Sequence, residues 1–346
     1  MDKRILIFGP AYLDVVVEIS GPLAAVPLDQ SLPAAARAPR ADGRITLDGP
    51  TGDHLVFPLP PDAASEAAHF TLAEPVLSRV GREDPAVGEH AVARVRVQPG
   101  GMGAGYALAL GAALSAPFGE DAVGARVRAA LGEMGVHVVP ALLPDCPSDT
   151  SLVILSARGD KLAVGVRRAL VRWMPTAEDH ELAKAADALV FCGAPNVFMA
   201  AVLARQPRAA VLCAPALRNV RDATVPLASL APRIHYLTLN ALEWAHLDGG
   251  DAMRAHVPVI TVTDGARGSR LLLGAREYAI PAHPVEGPVN ANRAGETYGA
   301  TVFSTLLAAC PDFPAGVTPG LAERAARRGA DQAARQLRLA GFEFPE

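Results

Sequence analysis

Short apolar runs alternate along this chain with stretches whose apolar residues recur every three to four positions. Ile5–Phe8, Leu152–Ser156, Ala188–Cys192, Ala210–Cys213, His235–Leu239, Val259–Val262 and Arg270–Leu273 read as strands. Several are continuously apolar, as strands are when a sheet is covered on both faces. Between them Gly103–Leu114, Val123–Met134, Glu178–Ala186, Phe198–Ala204, Ala241–Leu247 and Ala300–Ala309 carry helical periodicity. This alternation predicts an α/β fold with a mostly parallel sheet between two helical layers.

Residues 16–99 break the rhythm. They are rich in Pro, Ala and Asp and hold alternating runs at Arg44–Asp48, His54–Phe57 and Arg94–Gln98. The chain therefore divides into an α/β body, residues 1–15 plus 100–346, and a β-rich insertion, 16–99, irregular over the Pro- and Ala-rich stretch 28–42. The insertion reads as a lid or as a flap for homodimer formation.

Composition narrows the field. The chain has 346 residues, half of them apolar, and a formal charge of −4. That size supports a large core. The mild acidity gives no electrostatic footprint for nucleic acid or an anionic membrane. The densest basic cluster, Arg324, Arg327, Arg328, Arg335 and Arg338, reads as a solvated helix face. Cys146, Cys192, Cys213 and Cys310 are far apart, with no C-x-x-C pair, so neither a disulfide framework nor a zinc site is expected. The first apolar run is too short for a signal peptide, and no segment approaches the ~20 apolar residues of a membrane span. A cytoplasmic protein is expected.

Candidate chemistry lies at the ends of the apolar runs. The first strand ends in Gly9 and is followed by Asp14. Pro99–Ala107 is a glycine-rich turn, with Gly100, Gly101 and Gly105, that opens a helix. Gly119–Gly124 sets an acidic helix start beside two glycines. Asn240 and Glu243 follow a strand with the spacing of a helix capping box. Thr263, Gly265 and Gly268 form a turn after another strand. Finally Val289–Ala300 feeds a helix start, where backbone amides without intrahelical partners favour an anion, and Glu296 places a carboxylate at the same turn. Any one of these has a plain structural reading as a cap or a turn.

Taken in order, they resemble the ribokinase-like (PfkB) family of sugar and nucleoside kinases, over nearly the whole chain outside about 28–90. The resemblance implies a three-layer α/β sandwich with a β-rich lid insertion. It implies ATP and Mg²⁺ as cofactors and a small sugar, polyol or nucleoside as substrate. Asp14, Gly100, Gly101 and Gly105 then fall on the substrate side. Asn240, Glu243, Thr263, Gly265, Gly268 and Asn292 fall on the nucleotide side, with Glu243 an indirect Mg²⁺ ligand. Gly119–Gly124 is structural.

The chain also departs from the family pattern. The family's D-T-x-G-A-G-D aligns with Asn290–Glu296. Arg293, Ala294 and Gly295 form the anion hole, and Glu296 stands at the catalytic base, where the family has Asp. Glu shares the reference acidity of Asp, but its extra methylene moves the carboxylate by about an ångström. Arg293 replaces a glycine, Asn290 an Asp, and Gly105 the family's usual Asn. Two readings follow: a divergent kinase with Glu296 as base, or a degenerate relative that binds a sugar or nucleotide without turnover.

Overall fold

The computed structural model describes residues 3–19, 44–48, 54–58, 68–71, 92–156, 161–205, 208–286 and 293–339. The stretch 28–42 and Asn290–Asn292 lie outside the described residues.

The chain opens with β1 (Ile5–Phe8), β2 (Tyr12–Ile19), β3 (Arg44–Asp48), β4 (His54–Pro58), β5 (Ala68–Thr71) and β6 (Val92–Gly100). Then come α1 (Met102–Leu110), β7 (Ala113–Gly119), α2 (Ala122–Glu133), β8 (Val138–Leu143), β9 (Thr150–Ser156) and β10 (Lys161–Val166). Next are α3 (Ala169–Arg172), α4 (Ala177–Ala185), β11 (Ala188–Cys192), α5 (Asn196–Leu203), β12 (Ala210–Ala214) and α6 (Leu217–Val220). The chain continues through β13 (Tyr236–Asn240), α7 (Ala241–Ala245), α8 (Gly250–His256), β14 (Val259–Thr263), β15 (Ser269–Leu273), β16 (Arg276–Ile280), α9 (Ala294–Ala309) and α10 (Pro319–Leu337).

Two units separate. The first takes Met1–Leu13, Gln98–Asp149 and Arg167–Glu346, and the second Asp14–Val97 and Thr150–Val166. The first unit carries a nine-stranded sheet in the order β16-β15-β14-β13-β12-β11-β1-β7-β8. From β8 to β14 every pair is parallel, and β15 and β16 close the far edge antiparallel. Side chains alternate between two cores, as the pleat requires. Ala188, Val190 and Cys192 of β11 enter one with Tyr298, Val302 and Phe303 of α9, while Leu189 and Phe191 enter the other with Phe198 and Val202 of α5. The result is a sandwich of helices, sheet and helices. Gly299 lets α9 approach its layer closely, because a Cβ there would collide with the Tyr106 hydroxyl.

In the second unit β3 pairs antiparallel with β4 and parallel with β5, so the alternating runs at Arg44–Asp48 and His54–Phe57 meet as neighbouring strands. A further sheet has the order β10-β9-β2-β6. The β9–β10 pair groups with this unit. Its strands run antiparallel, with Lys161 opposite Leu155 through Val166 opposite Thr150.

The expected helix Gly103–Leu114 stops at Leu110, where Gly111 caps it in the left-handed conformation with φ 59°. The chain then enters β7, an unpredicted strand that carries Pro117. Strands β8 and β16 are likewise unpredicted.

Candidate active site

The turn into α9 keeps a left-handed backbone. Arg293, the residue before the helix, has φ 66° and ψ 1°, and its side chain provides no cap. An L-residue pays about 1–2 kcal/mol there, so the surrounding structure holds the turn against that cost. The first-turn amides, Ala294 to Glu296, lack intrahelical acceptors by helix geometry. Arg293 is half-buried, and burial lowers its proton affinity while the neighbouring Glu296 carboxylate raises it.

Glu296 is half-buried in that first turn and lies against α1. A Cβ on Gly105 would stand 3.1 Å from Glu296 Cγ and 3.3 Å from its Cβ. The carboxylate is near enough to Tyr106, Cys192 and Glu243 to raise the proton affinity of each, although burial is the larger cause for all three.

Asn240 and Glu243 form the expected capping box. The Asn240 amide donates to Glu243 Oε2 and the Glu243 amide donates to Asn240 Oδ1, both at 2.8 Å. Burial pushes the half-buried Glu243 carboxyl up to about 7, with the Glu296 charge adding to it. Asn240 lies opposite Thr263 in the β13–β14 register. The loop beyond Thr263 is closed by the Asp264 amide donating to the Gly268 carbonyl at 2.7 Å, with Gly265 and Gly268 at φ 56° and 89°. Arg267 grips Asp264 bidentately at 2.7 Å.

The glycine turn before α1 runs against the end of β1. Gly101 has φ 99°, and a Cβ there would strike the Pro10 carbonyl. Gly100 precedes it, buried. Asp14 is buried on β2 and belongs to the second unit. Asp121 caps α2 by accepting from the Gly124 amide at 2.8 Å, and it also accepts from the Ser148 hydroxyl at 2.6 Å.

Within the first unit, then, Arg293–Glu296 stands beside Gly105, with Glu243 in electrostatic range and the Thr263 turn one strand beyond Asn240. Asn292 lies outside the described residues. A protein-family model for pfkB family carbohydrate kinases matches residues 74–338, well over half of the chain.

The chain belongs to the pfkB family of carbohydrate kinases.

Solved structures agree on the fold of this family member. Ribokinase of Arabidopsis thaliana, complexed with ribose and ATP, superposes with a TM-score of 0.64 at 18% identity over 99% of this chain and 95% of that one. Ribokinase of Giardia lamblia gives 0.67 at 14% identity, covering 98% and 96%. Adenosine kinase of Sinorhizobium meliloti gives 0.62 at 17%, covering 99% and 96%. No curated protein sequence matches the chain. Membership of the pfkB family supports a sugar or nucleoside kinase.

A side chain at the Gly105 position of α1 would meet Glu296, so glycine there leaves room for the Glu296 methylenes. No sequence feature pointed to the link between these positions.

Proposed function

We propose that the protein is an ATP-dependent phosphotransferase acting on a hydroxyl of a small sugar, polyol or nucleoside, with Glu296 as the base. The observation that carries this reading is the pairing of Glu296 with the left-handed turn at Arg293, which sets a carboxylate beside uncapped amides. An intact anion hole next to a base is the layout phosphoryl transfer needs.

In this mechanism Glu296 takes the proton from the acceptor hydroxyl as its oxygen bonds to the terminal phosphorus of ATP and the bond to the ADP oxygen breaks. The amides around Arg293–Gly295 bear the charge on the transferring group, and the Arg293 guanidinium adds a positive charge. Asp14 and the Gly100–Gly101 turn are assigned to the acceptor, where a carboxylate grips hydroxyls by charge-assisted hydrogen bonds. Thr263, Gly265, Gly268 and Asn292 are assigned to the nucleotide.

The residues also suit Mg²⁺. Among the described residues no cluster of three His, Cys, Asp or Glu side chains forms a metal cage. Mg²⁺ favours hard oxygen donors, keeps several waters and needs few carboxylates. Glu243 and Asn240 supply such oxygens, and the Glu296 carboxylate in electrostatic range of Glu243 adds negative charge beside them. The ion, when bound, would neutralise phosphate charge.

The test is ADP release from ATP across a broad panel of sugars, polyols and nucleosides, with thermal shifts run in parallel. Turnover of any member supports the proposal. Ligand-induced stabilisation without ADP across the whole panel replaces it with a binding role.

A further inference from the structure

We propose that Ser269 and Tyr298 are positioning residues for phosphoryl transfer: the hydrogen bond between their hydroxyls fixes the spacing between the nucleotide turn, Thr263–Gly268, and the base, Glu296. This rests on the kinase reading above and adds to it two groups that act without touching the reacting atoms.

Ser269 opens β15, directly after Gly268. It lies opposite Thr263 in the β14–β15 register and opposite Ile280 in the β15–β16 register. The turn between Thr263 and Ser269 is stiff. The Asp264 amide donates to the Gly268 carbonyl at 2.7 Å, and a Cβ on Gly268 would strike the Ile280 carbonyl. Gly268 is thus seated against the end of β16. Wherever the nucleotide turn sits, Ser269 sits with it.

Tyr298 follows Glu296 by two residues at the start of α9. The Thr297 amide donates to the Arg293 carbonyl at 2.8 Å, so Glu296 stands inside a closed helical turn. Helix α10 presses on Tyr298 from behind: a Cβ on Gly329 would stand 3.1 Å from the Tyr298 carbonyl oxygen and 3.2 Å from Cδ2 of its ring. The next residue, Gly299, is pressed by the Tyr106 hydroxyl. Held in this way, the Tyr298 hydroxyl meets Ser269 Oγ at 2.8 Å. Both residues are buried, and Tyr298 shares its core with Leu271, Ile280 and Phe303. Burial pushes the Tyr298 hydroxyl up to about 12, so it keeps its proton at neutral pH.

Packing alone does not call for these hydroxyls. Phenylalanine and alanine would fill nearly the same volume, and a buried hydrogen bond gives only modest net stability once both partners have left water. What the pair supplies is direction. A hydrogen bond between two stiff frames permits a narrow range of distance and angle, whereas apolar side chains repack with little loss. One frame carries the turn assigned to the nucleotide, and the other carries the base. Phosphoryl transfer depends on holding the reacting groups to within about an ångström, which is what a fixed spacing between those frames provides. A second buried hydroxyl pair, Tyr236 with Thr261 at 2.8 Å, joins β13 to β14. That bond stays within the sheet, so it makes an internal control.

The experiment compares the full-length chain with Tyr298→Phe, Ser269→Ala, the double change and, as the control, Tyr236→Phe. Each is melted thermally and assayed for ADP release with ATP and the best acceptor of the wild-type panel. Either single change strands the other hydroxyl in the core and should lower both Tm and kcat. The double change removes both hydroxyls, so its Tm should recover toward wild type. Its kcat should not recover: we expect it to stay at least about tenfold below wild type, inside the ~100-fold range of an ångström misplacement, with KM for ATP and for the acceptor little changed. Tyr236→Phe should lower Tm and leave kcat near wild type. A kcat that returns with Tm in the double variant marks the pair as merely structural and overturns the proposal. A loss confined to KM overturns it as well, and so does a control as slow as the double variant. If wild type releases ADP and the double variant matches its kcat, this inference fails and the kinase reading stands. If wild type releases no ADP with any acceptor, both fail together. Should a single variant misfold, the double variant and Tyr236→Phe decide.

Discussion

Gly105 and Glu296 come from distant parts of the chain and meet so closely that a methyl group on one would stand 3.1 Å from Cγ of the other. The two positions should therefore be coupled in function. Gly105→Asn forces a side chain against Glu296 and should lower kcat by about 100-fold, the usual consequence of an ångström misplacement. Glu296→Asp alone should also be slow, because it draws the base back from the acceptor. The double change, which restores the family pairing, should be faster than either single change, with a coupling energy of about 1–3 kcal/mol. Additive losses in that cycle would show that the contact has no bearing on the reaction.

Glu296→Gln keeps the shape and removes the base. Phosphorylation of the best acceptor should fall by at least about 100-fold, the contribution of general base catalysis, while the acceptor's dissociation constant stays within a few-fold. Turnover close to wild type would move the base elsewhere.

Arg293→Gly tests the left-handed turn. Glycine meets φ 66° without the Cβ penalty, so thermal stability should hold or rise by up to about 1 kcal/mol. Arg293→Val, β-branched at the same φ, should lose about 1–2 kcal/mol. A large loss of stability in the glycine variant would show that the guanidinium, not the backbone, holds the turn.

His235 gives a pH signature away from the site. Its Nδ1 accepts from the Val211 amide at 2.9 Å, so the native ring is neutral on that side. Burial, then the Arg233 charge, lowers its proton affinity in the folded state. The unfolded chain therefore binds more protons between the depressed native value and the ordinary 6.5. Stability should be full above about 6.5 and decline as pH falls through that window. Urea melts from pH 7.5 down to 5 measure the slope, and His235→Asn, which keeps an acceptor but does not titrate, should flatten it.

Much of the architecture was written in local patterns. The continuous apolar runs of β11, β12 and β14 could only be covered strands, and the capping box at Asn240 announced α7. Strand β7 hid because Ala113–Gly119 continues the small apolar residues of α1 and holds a proline, so only Gly111 marks the break. The polar Arg276–Ile280 hid because its pairing to β15, not its composition, makes it a strand. The motifs themselves were legible because glycine, a carboxylate and a strand end recur at fixed spacing. The Gly105–Glu296 contact was not, since it arises when segments remote in sequence fold against one another.

The close approach of α9 to Tyr106 through Gly299 also bears on biosynthesis. The glycine turn, the Asn240 cap and the Thr263 turn are all synthesised before the helix that carries the base. A ribosome that stalls between them releases a chain with much of the sheet and no carboxylate at position 296. On the kinase reading, such a fragment has no means of consuming nucleotide, so premature termination yields an inert product and not a slow enzyme.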